Sequence, residues 1–272
     1  MRARPRTQSS VAIRGGDGPW FLVNASPDAS QQLEAITDLG VDGVDGVRSP
    51  PIAGVLLTDA EIDHTAGLLL LLRESATPVR VYGEAGVERA LRQGYPVLSM
   101  LERYCGLIWR TLEPECAQPL DGSSLTVEPF DVGGDAPRYL DGMGIDLTAS
   151  GFVFRDRVGG GVLTYVPGLA RLDDGVLDRL GASDLVLVDG TFWRDDELAE
   201  LGISTRSARD MGHLPLSGPG GTLEVLARLD RPRKALVHIN NTNPILLEDS
   251  PERDAVVRAG VEVAYDGLEV EL

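Results

Sequence analysis

Short apolar runs separated by turn residues recur along the whole chain. Each is four to seven residues long, is rich in β-branched, aromatic or other apolar residues, and is mostly bounded by Gly, Pro, Asp or Asn. This pattern predicts β-strands. We predict strands at 10–13, 20–24, 54–58, 79–83, 125–130, 151–156, 161–166, 185–190, 235–240 and 261–267.

Helical patterns lie between some of these runs and predict helices at 28–36, 64–74, 85–94, 173–181, 222–230 and 250–260. Strand–helix units near both ends, with hairpin-like strands in the middle, favour an α/β sandwich in which two sheets pack together and helices lie outside. The Gly/Pro-rich stretches 40–51 and 131–146 predict surface loops. Neither loop is long enough to separate domains, so we predict a single domain over 1–272.

Composition narrows the classes of partner. The 272 residues are 43% hydrophobic, which allows a sizeable core, and the net charge of −17 disfavours nucleic acid or an anionic membrane as the main partner. The sequence has no apolar stretch of membrane-spanning length and no secretion signal, so we expect a cytoplasmic protein. Cys105 and Cys116 fit neither a zinc-ribbon spacing nor a disulfide framework and are predicted to be structural or free thiols.

The segment TDAEIDHTAG (58–67) contains four candidate metal ligands immediately after a predicted strand: Asp59, Glu61, Asp63 and His64. A strand, a loop with carboxylates and an imidazole, and then a helix is a layout typical of metal-dependent hydrolases. The simpler alternatives are that Asp59 caps the following helix and that Glu61 is solvated.

The chain has only three histidines, and the other two also lie near strand ends or in loops. His238 lies near the end of the run ALVHIN, His213 lies in the loop MGHLPLSG, and Asp189 ends the run LVLV. A local hydrogen bond or turn explains each of them taken singly. Their coincidence favours one shared site, because ligands bind at the carboxyl edge of α/β sheets. Asn240 and Asn241 are candidate substrate hydrogen-bonders, although the turn before Pro244 also accounts for them.

Taken together, these segments resemble the metallo-β-lactamase-fold superfamily and, more closely, its PQQ (pyrroloquinoline quinone) biosynthesis protein B family. The resemblance is carried, in the family's order and over nearly the whole chain, by RTQSSVAI, NASPD, GVLLTDAEIDHTAGLLLLLRE, YCGLIWR, VLTYVPGLARL, LVDGTFWRDDE, MGHLPLSG, HINNTNPIL and VAYDGLEVE. It implies a metallo-β-lactamase-like αββα sandwich. The family usually opens with a further strand and a cysteine cluster that holds a structural zinc, so the resemblance implies an N-terminally shortened form.

The resemblance also implies a metal site. Hydrolases of the superfamily carry a loop H-x-H-x-D-H, whereas Asp59 and Glu61 replace the first two histidines here, as is usual for this branch. Asp63, His64 and His238 remain as one metal position, and two imidazoles with one carboxylate suit non-heme Fe(II) and O₂ chemistry, although zinc also accepts such ligands. Asp59 and Glu61 would face the same cavity as oxygen ligands or as partners of a substrate amine.

Asp189 and His213 resemble the acid–histidine pair of the tRNA-processing endonucleases in the same superfamily. This pair suits proton transfer near neutral pH, and the alternative is a hydrogen bond that only orients a metal ligand.

For function, the family implies iron- and O₂-dependent hydroxylation of the tyrosine ring in a cross-linked Glu–Tyr intermediate derived from a precursor peptide. The alternatives are a non-catalytic carrier of PQQ or its precursor and, least favoured, a zinc hydrolase with two metals. The substrate would be a small molecule derived from amino acids. A homodimer and contact with other PQQ pathway proteins are further expectations from the family.

Overall fold

The strands form two sheets. The computed structural model describes residues 3–35, 52–71 and 77–272. Its strands are β1 (Val11–Ile13), β2 (Phe21–Val23), β3 (Gly54–Leu56), β4 (Val79–Gly83), β5 (Leu107–Thr111), β6 (Gln118–Pro119), β7 (Leu125–Gly133), β8 (Ala149–Asp156), β9 (Val162–Val166), β10 (Leu185–Asp189), β11 (Arg233–Val237) and β12 (Glu262–Val263).

The order of strands explains why strand–helix units lie near both ends of the chain. The first sheet has the order β1-β2-β3-β4-β5, with β2 to β5 parallel and β1 antiparallel to β2. The second has the order β12-β11-β10-β9-β8-β7-β6, with β9 to β12 parallel and β6 to β9 antiparallel. The predicted α/β sandwich with central hairpins is confirmed.

Helices cover the outer faces. They are α1 (Ala29–Ala35), α2 (Ile62–Thr65), α3 (Ala85–Gln93), α4 (Val97–Tyr104), α5 (Asp174–Ala182), α6 (Glu197–Glu200), α7 (Thr222–Ala227) and α8 (Pro251–Arg258). Short 3₁₀ helices span Ala66–Leu71, Arg138–Leu140, Arg209–Met211 and Pro244–Leu246. No helix within the described ranges is long and apolar enough to cross a membrane.

Successive side chains of each strand point to opposite faces of the sheet, and the buried apolar side chains form three layers. Leu56 and Leu187 lie in the layer between the sheets, whereas Val55 and Val186 lie on the outer faces beneath helices. Because both faces of these strands are buried, their sequences are continuously apolar. The layer between the sheets also contains Phe21, Val23, Tyr82, Phe152, Phe154, Tyr165, Leu185 and Ala235.

Several predicted elements differ in detail. The helix predicted at 64–74 is instead α2 followed by the 3₁₀ helix Ala66–Leu71. Leu68 and Leu71 are buried while Leu69 and Leu70 are exposed, which suits three residues per turn. Residues 72–74 and the loop predicted at 40–51 lie outside the described residues.

The strand predicted at 235–240 ends at Val237, because His238 has a positive φ of 54° and leaves the extended conformation. Strand β12 is shorter than the predicted 261–267. Part of the loop predicted at 131–146 belongs to β7 and to the 3₁₀ helix Arg138–Leu140.

The sequence pattern did not predict β5, β6, α4 or α6. Strand β5 is an edge strand whose residues are half-buried or exposed, so its apolar contrast is weak. Helix α4 buries Val97, Leu98 and Leu101 on one face immediately after Pro96.

Candidate metal centre

The first half of the site is one short loop at the carboxyl end of β3. Thr58 follows the strand and donates its backbone N–H to the side chain of Asn24, at 3.0 Å. Helix α2 is held against the segment after β2, because Ala25 N–H donates to the carbonyl of His64 at 2.7 Å and Gly67 N–H donates to the carbonyl of Ala25 at 2.8 Å. A Cβ at position 67 would lie 2.2 Å from the carbonyl oxygen of Ser26, so this close approach requires glycine.

His64 is oriented by a carboxylate of its own loop. Its Nδ1 lies 2.8 and 2.7 Å from the two carboxylate oxygens of Asp59. Asp59 is 6% exposed and also accepts from the hydroxyl of Thr58 at 2.7 Å and from the backbone N–H of Glu61 at 2.9 Å. Burial opposes ionisation of Asp59, but the charge of His64 and these hydrogen bonds keep its pKa below the ordinary value. Nδ1 of His64 is therefore the donor to Asp59.

This contact leaves the other ring nitrogen of His64 without a partner. Nε2 of His64 is buried and forms no hydrogen bond with any described residue. A buried polar atom of this kind is rare in a native protein and points to a ligand that the atom contacts. Its lone pair is the group that binds a divalent metal.

Asp63 and His238 complete a set of converging donors. Nε2 of His238 lies 3.4 Å from Oδ2 of Asp63, and the rings of His64 and His238 meet edge to face with centroids 5.0 Å apart. Ligand atoms of Asp63, His64 and His238 all lie within 4.8 Å of one another. Two imidazole nitrogens, one of them orphaned, and one carboxylate oxygen fit a transition metal ion.

The carboxylates around His64 favour a positive charge on its imidazole ring. Burial disfavours charged His64, but the charge and hydrogen bond of Asp59 outweigh it and raise the pKa of His64 to about 9. Burial likewise opposes ionised Asp63, yet its contact with His238 and the charges of the nearby imidazoles hold its pKa below the ordinary value. At neutral pH the metal-free cluster therefore holds a proton at His64, which a metal ion would displace.

The second half of the site comes from the other sheet. Nδ1 of His213 lies 2.6 Å from Oδ2 of Asp189, the last residue of β10. Burial disfavours the charged form of His213, but Asp189 outweighs it and raises the pKa of His213. The ring of His213 stacks on that of His238, with centroids 5.3 Å apart and planes inclined by 22°. The acid–histidine pair thus lies directly beside a candidate metal ligand.

The structure assigns different surroundings to the remaining predicted residues. Asp59 is buried and engaged with His64, so the expectation that it faces a substrate cavity is wrong, and it orients a ligand instead. Glu61 is an exposed residue, but the partial burial of its carboxyl group and then the charges of Asp59 and Asp63 raise its pKa to about 7. Asn240 forms hydrogen bonds within its own turn, and Asn241 is exposed.

Two residues near the site were not singled out from the sequence. Asn24 has a positive φ of 58°, is fully buried, and both donates to and accepts from Thr58. Thr191 is 6% exposed and lies with its hydroxyl 2.7 Å from Nδ1 of His238. An asparagine immediately after a strand is an available signal for positive φ, whereas Thr191 carries no signal without the pairing of β10 with β11.

Comparisons with known proteins identify the family of this chain. The model of the β-lactamase superfamily domain matches residues 19–239. The coenzyme PQQ synthesis protein B of Cupriavidus necator is 48% identical over 286 residues, which cover 100% of this chain and 90% of that protein. The protein of the same name from Methylococcus capsulatus is 44% identical over 289 residues, with the same coverage.

Solved structures give the same assignment. The Zn²⁺-bound PqqB of Methylobacterium extorquens superimposes with a TM-score of 0.86 at 35% identity and covers 100% of this chain and 89% of that one. The short form of human tRNase Z superimposes with a TM-score of 0.59 at 17% identity, over 98% and 94% of the two chains, which shows a shared fold alone. The chain belongs to the β-lactamase superfamily and, within it, to the coenzyme PQQ synthesis protein B family.

Proposed function

We propose that this chain is an iron- and O₂-dependent hydroxylase of PQQ biosynthesis that acts on the tyrosine ring of a cross-linked Glu–Tyr intermediate derived from the precursor peptide. The observation that carries the proposal is the convergence of Asp63, His64 and His238, with ligand atoms within 4.8 Å of one another. Two imidazoles and one carboxylate leave coordination positions open for O₂ and a substrate.

The metal assignment rests on the donor set. Asp63 Oδ2, His64 Nε2 and His238 Nε2 would hold the ion. Ferrous iron at this position would supply the activation of O₂ that a hydroxylation requires. The Zn²⁺ described for the Methylobacterium extorquens protein supports a metal position in the family, and zinc is the alternative occupant.

The chain's own residues would bind the substrate and move protons. His213, held at Nδ1 by Asp189, presents Nε2 as a proton donor or acceptor beside His238. Glu61, with a pKa raised to about 7 by burial and the neighbouring carboxylates, would become fully ionised on pairing with a cationic amine of the substrate. Asn241, exposed in the turn after His238, would donate a hydrogen bond to a substrate carboxylate, and Asn240 would hold that turn in shape.

The two oxygen atoms of O₂ have different fates in the proposed hydroxylation. One oxygen atom of O₂ forms a C–O bond with a ring carbon, and the hydrogen of that carbon is lost as the hydroxyl forms. The other oxygen atom leaves as water, with two electrons and two protons drawn from an external two-electron reductant. Ascorbate serves as that reductant in the assay below.

The test is anaerobic reconstitution of the full chain with Fe(II), elemental analysis, and then measurement of O₂ uptake with the cross-linked Glu–Tyr intermediate and ascorbate. We expect one iron per chain, substrate-dependent O₂ consumption and a product heavier by one oxygen atom. Asp63→Asn should lose both iron and turnover. Asp178→Asn, an exposed aspartate on α5, is the matched control and should lose neither.

The other outcomes identify the alternatives. Tight binding of the intermediate without O₂ consumption would overturn the hydroxylase and indicate a carrier. Two zinc ions per chain with turnover of a phosphodiester would indicate a hydrolase of the general superfamily type.

A further inference from the structure

We propose that Thr191 is a positioning residue whose hydroxyl group connects the candidate ligand His238 to Asp189, so that one carboxylate orients two histidines. The inference rests on the proposed function only in that His238 is taken as a metal ligand. It assigns a role in the site to a residue of the segment between β10 and α6.

The hydroxyl group of Thr191 has three neighbours. Its Oγ1 lies 2.6 Å from Oδ1 of Asp189, 2.7 Å from Nδ1 of His238 and 2.8 Å from the backbone carbonyl oxygen of His238. A hydroxyl has one hydrogen to donate and two lone pairs that accept. The position of the hydrogen on the His238 ring therefore depends on which neighbour receives the hydroxyl hydrogen of Thr191.

Asp189 is the strongest acceptor of the three. It is 1% exposed, and His213 and the surrounding hydrogen bonds keep its pKa below the ordinary value despite burial, so it is a carboxylate that only accepts. Hydrogen bonds to an ionised acceptor are about twice as strong as neutral ones. Thr191 therefore donates to Oδ1 of Asp189, and Nδ1 of His238 donates to Thr191.

This direction of donation fixes the tautomer of His238. With its hydrogen on Nδ1, the ring keeps a lone pair on Nε2, which is the nitrogen nearest Asp63. The opposite tautomer would place a hydrogen on Nε2 and prevent metal binding there. Asp189 thus holds His213 directly through Oδ2 and His238 indirectly through Oδ1.

The backbone holds Thr191 in place for this contact. Gly190 N–H donates to the carbonyl of Val237 at 2.8 Å, and Asn240 N–H donates to the carbonyl of Thr191 at 3.2 Å. A Cβ at position 190 would lie 3.0 Å from Cβ of Leu236, so glycine permits this close approach of the two chain segments. Thr191 is also 6% exposed, which limits the access of water to substitute for its hydroxyl.

NMR spectroscopy measures the tautomer of His238 directly. Long-range ¹H–¹⁵N correlation spectra of the full chain contain three imidazole systems, because the sequence has three histidines. In the metal-free wild type and in metal-free Thr191→Ser we expect His238 as a single Nδ1–H tautomer. Thr191→Val removes the hydroxyl at nearly constant shape, and we expect His238 alone to lose that signature and the zinc Kd to rise by about tenfold or more.

Asp189→Asn provides the complementary variant, since it should perturb His213 and His238 together. An unchanged His238 signature and zinc Kd in Thr191→Val would overturn the proposal, as would an effect of Asp189→Asn confined to His213. If Thr191→Val does not fold, Thr191→Ala is measured in the same way with the same criteria. Failure of the wild type to bind any metal would count against the proposed function instead, and the His238 tautomer in the metal-free chain would still decide the role of Thr191.

Discussion

The two halves of the site are built in different ways. In the first half, the orienting Asp59 lies in the loop after β3, and the candidate ligands Asp63 and His64 lie in the short helix α2 that follows it. In the second half, Asp189 and His213 are 24 residues apart, and Thr191 and His238 are 47 apart. The first half is built from residues that are close together in the chain and is held by the segment after β2. The second half requires the pairing of β10 with β11 and the docking of the loop that carries His213.

The halves also differ in charge. The loop of the first half carries three carboxylates around one imidazole, which raises the pKa of His64 to about 9. In the second half the single carboxylate of Asp189 serves His213 directly and approaches His238 through Thr191. Variants in the first half should therefore act mainly on metal affinity, whereas variants in the second should change metal affinity and proton transfer together.

Removal of His238 should have the largest effect, because it is the one candidate ligand of the three that the second half contributes. Substitution of a residue that only hydrogen-bonds to a metal ligand weakens metal binding by at most roughly 100-fold, and we expect His238→Asn to weaken it further. Asparagine tolerates the positive φ of 54° at this position better than alanine does, so it separates ligand loss from backbone strain. Competition with a chromophoric chelator measures the affinity, and thermal unfolding of the metal-free variant controls for the fold. Wild-type affinity in this variant would remove His238 from the site.

Asp59→Asn should have the next largest effect. The amide keeps the size of the side chain but removes the charge that holds Nδ1 of His64, so we expect a loss of about 10–100-fold in metal affinity. The control is Asp17→Asn, a substitution of a carboxylate outside the site. An effect on affinity no greater than that of the control would show that the loop orients His64 without Asp59.

Metal binding should release a proton from His64. Its pKa is raised to about 9 in the metal-free chain, so below that pH an incoming metal must displace the proton, and the apparent affinity should fall by up to about tenfold per pH unit as the pH decreases. The sign is opposite for the stability of the metal-free fold. There the contribution of His64 is complete below its unfolded pKa of about 6.5 and is lost as the pH rises through about 9.

Calorimetric titration in two buffers of different ionisation enthalpy measures the proton release at pH 7.5, a value about midway between those two pKa values. Asp59→Asn should release less, because its His64 lacks the partner that raises the pKa. An equal release in both proteins would mean that the proton comes from another group.

The contrast between the halves also explains what the sequence could predict. Asp59, Glu61, Asp63 and His64 lie close together in the chain, so their pattern alone predicted a metal loop, and the apolar runs predicted the strands around it. The burial of Asp59 was not predictable, because the same carboxylate could cap a helix, face a cavity or contact His64. Thr191 was missed because its contact with His238 depends on the register of β10 and β11, where Asp189 pairs with Val237.

The smallest expected effect tests whether the halves are coupled across the sandwich. Tyr165 lies on β9 of the second sheet, fully buried, and its hydroxyl lies 3.0 Å from the hydroxyl of Ser9 and near Asn24, beside the first half of the site. Tyr165→Phe should cost about 1 kcal/mol of unfolding free energy through the lost hydrogen bond to Ser9.

Substitution of a residue that hydrogen-bonds directly to a metal ligand weakens metal binding by at least roughly tenfold, and we expect Tyr165→Phe to have a smaller effect. The reason is that Asn24, Thr58 and Asp59 lie between Tyr165 and His64. Tyr104→Phe, at a site 65% exposed, is the matched control and should leave both quantities unchanged. Denaturant unfolding and chelator competition measure the two effects on the same samples. If Tyr165→Phe weakened metal binding as much as Asp59→Asn, the first half would depend on the second sheet for its geometry, and its loop would not be the self-contained unit that its contacts indicate.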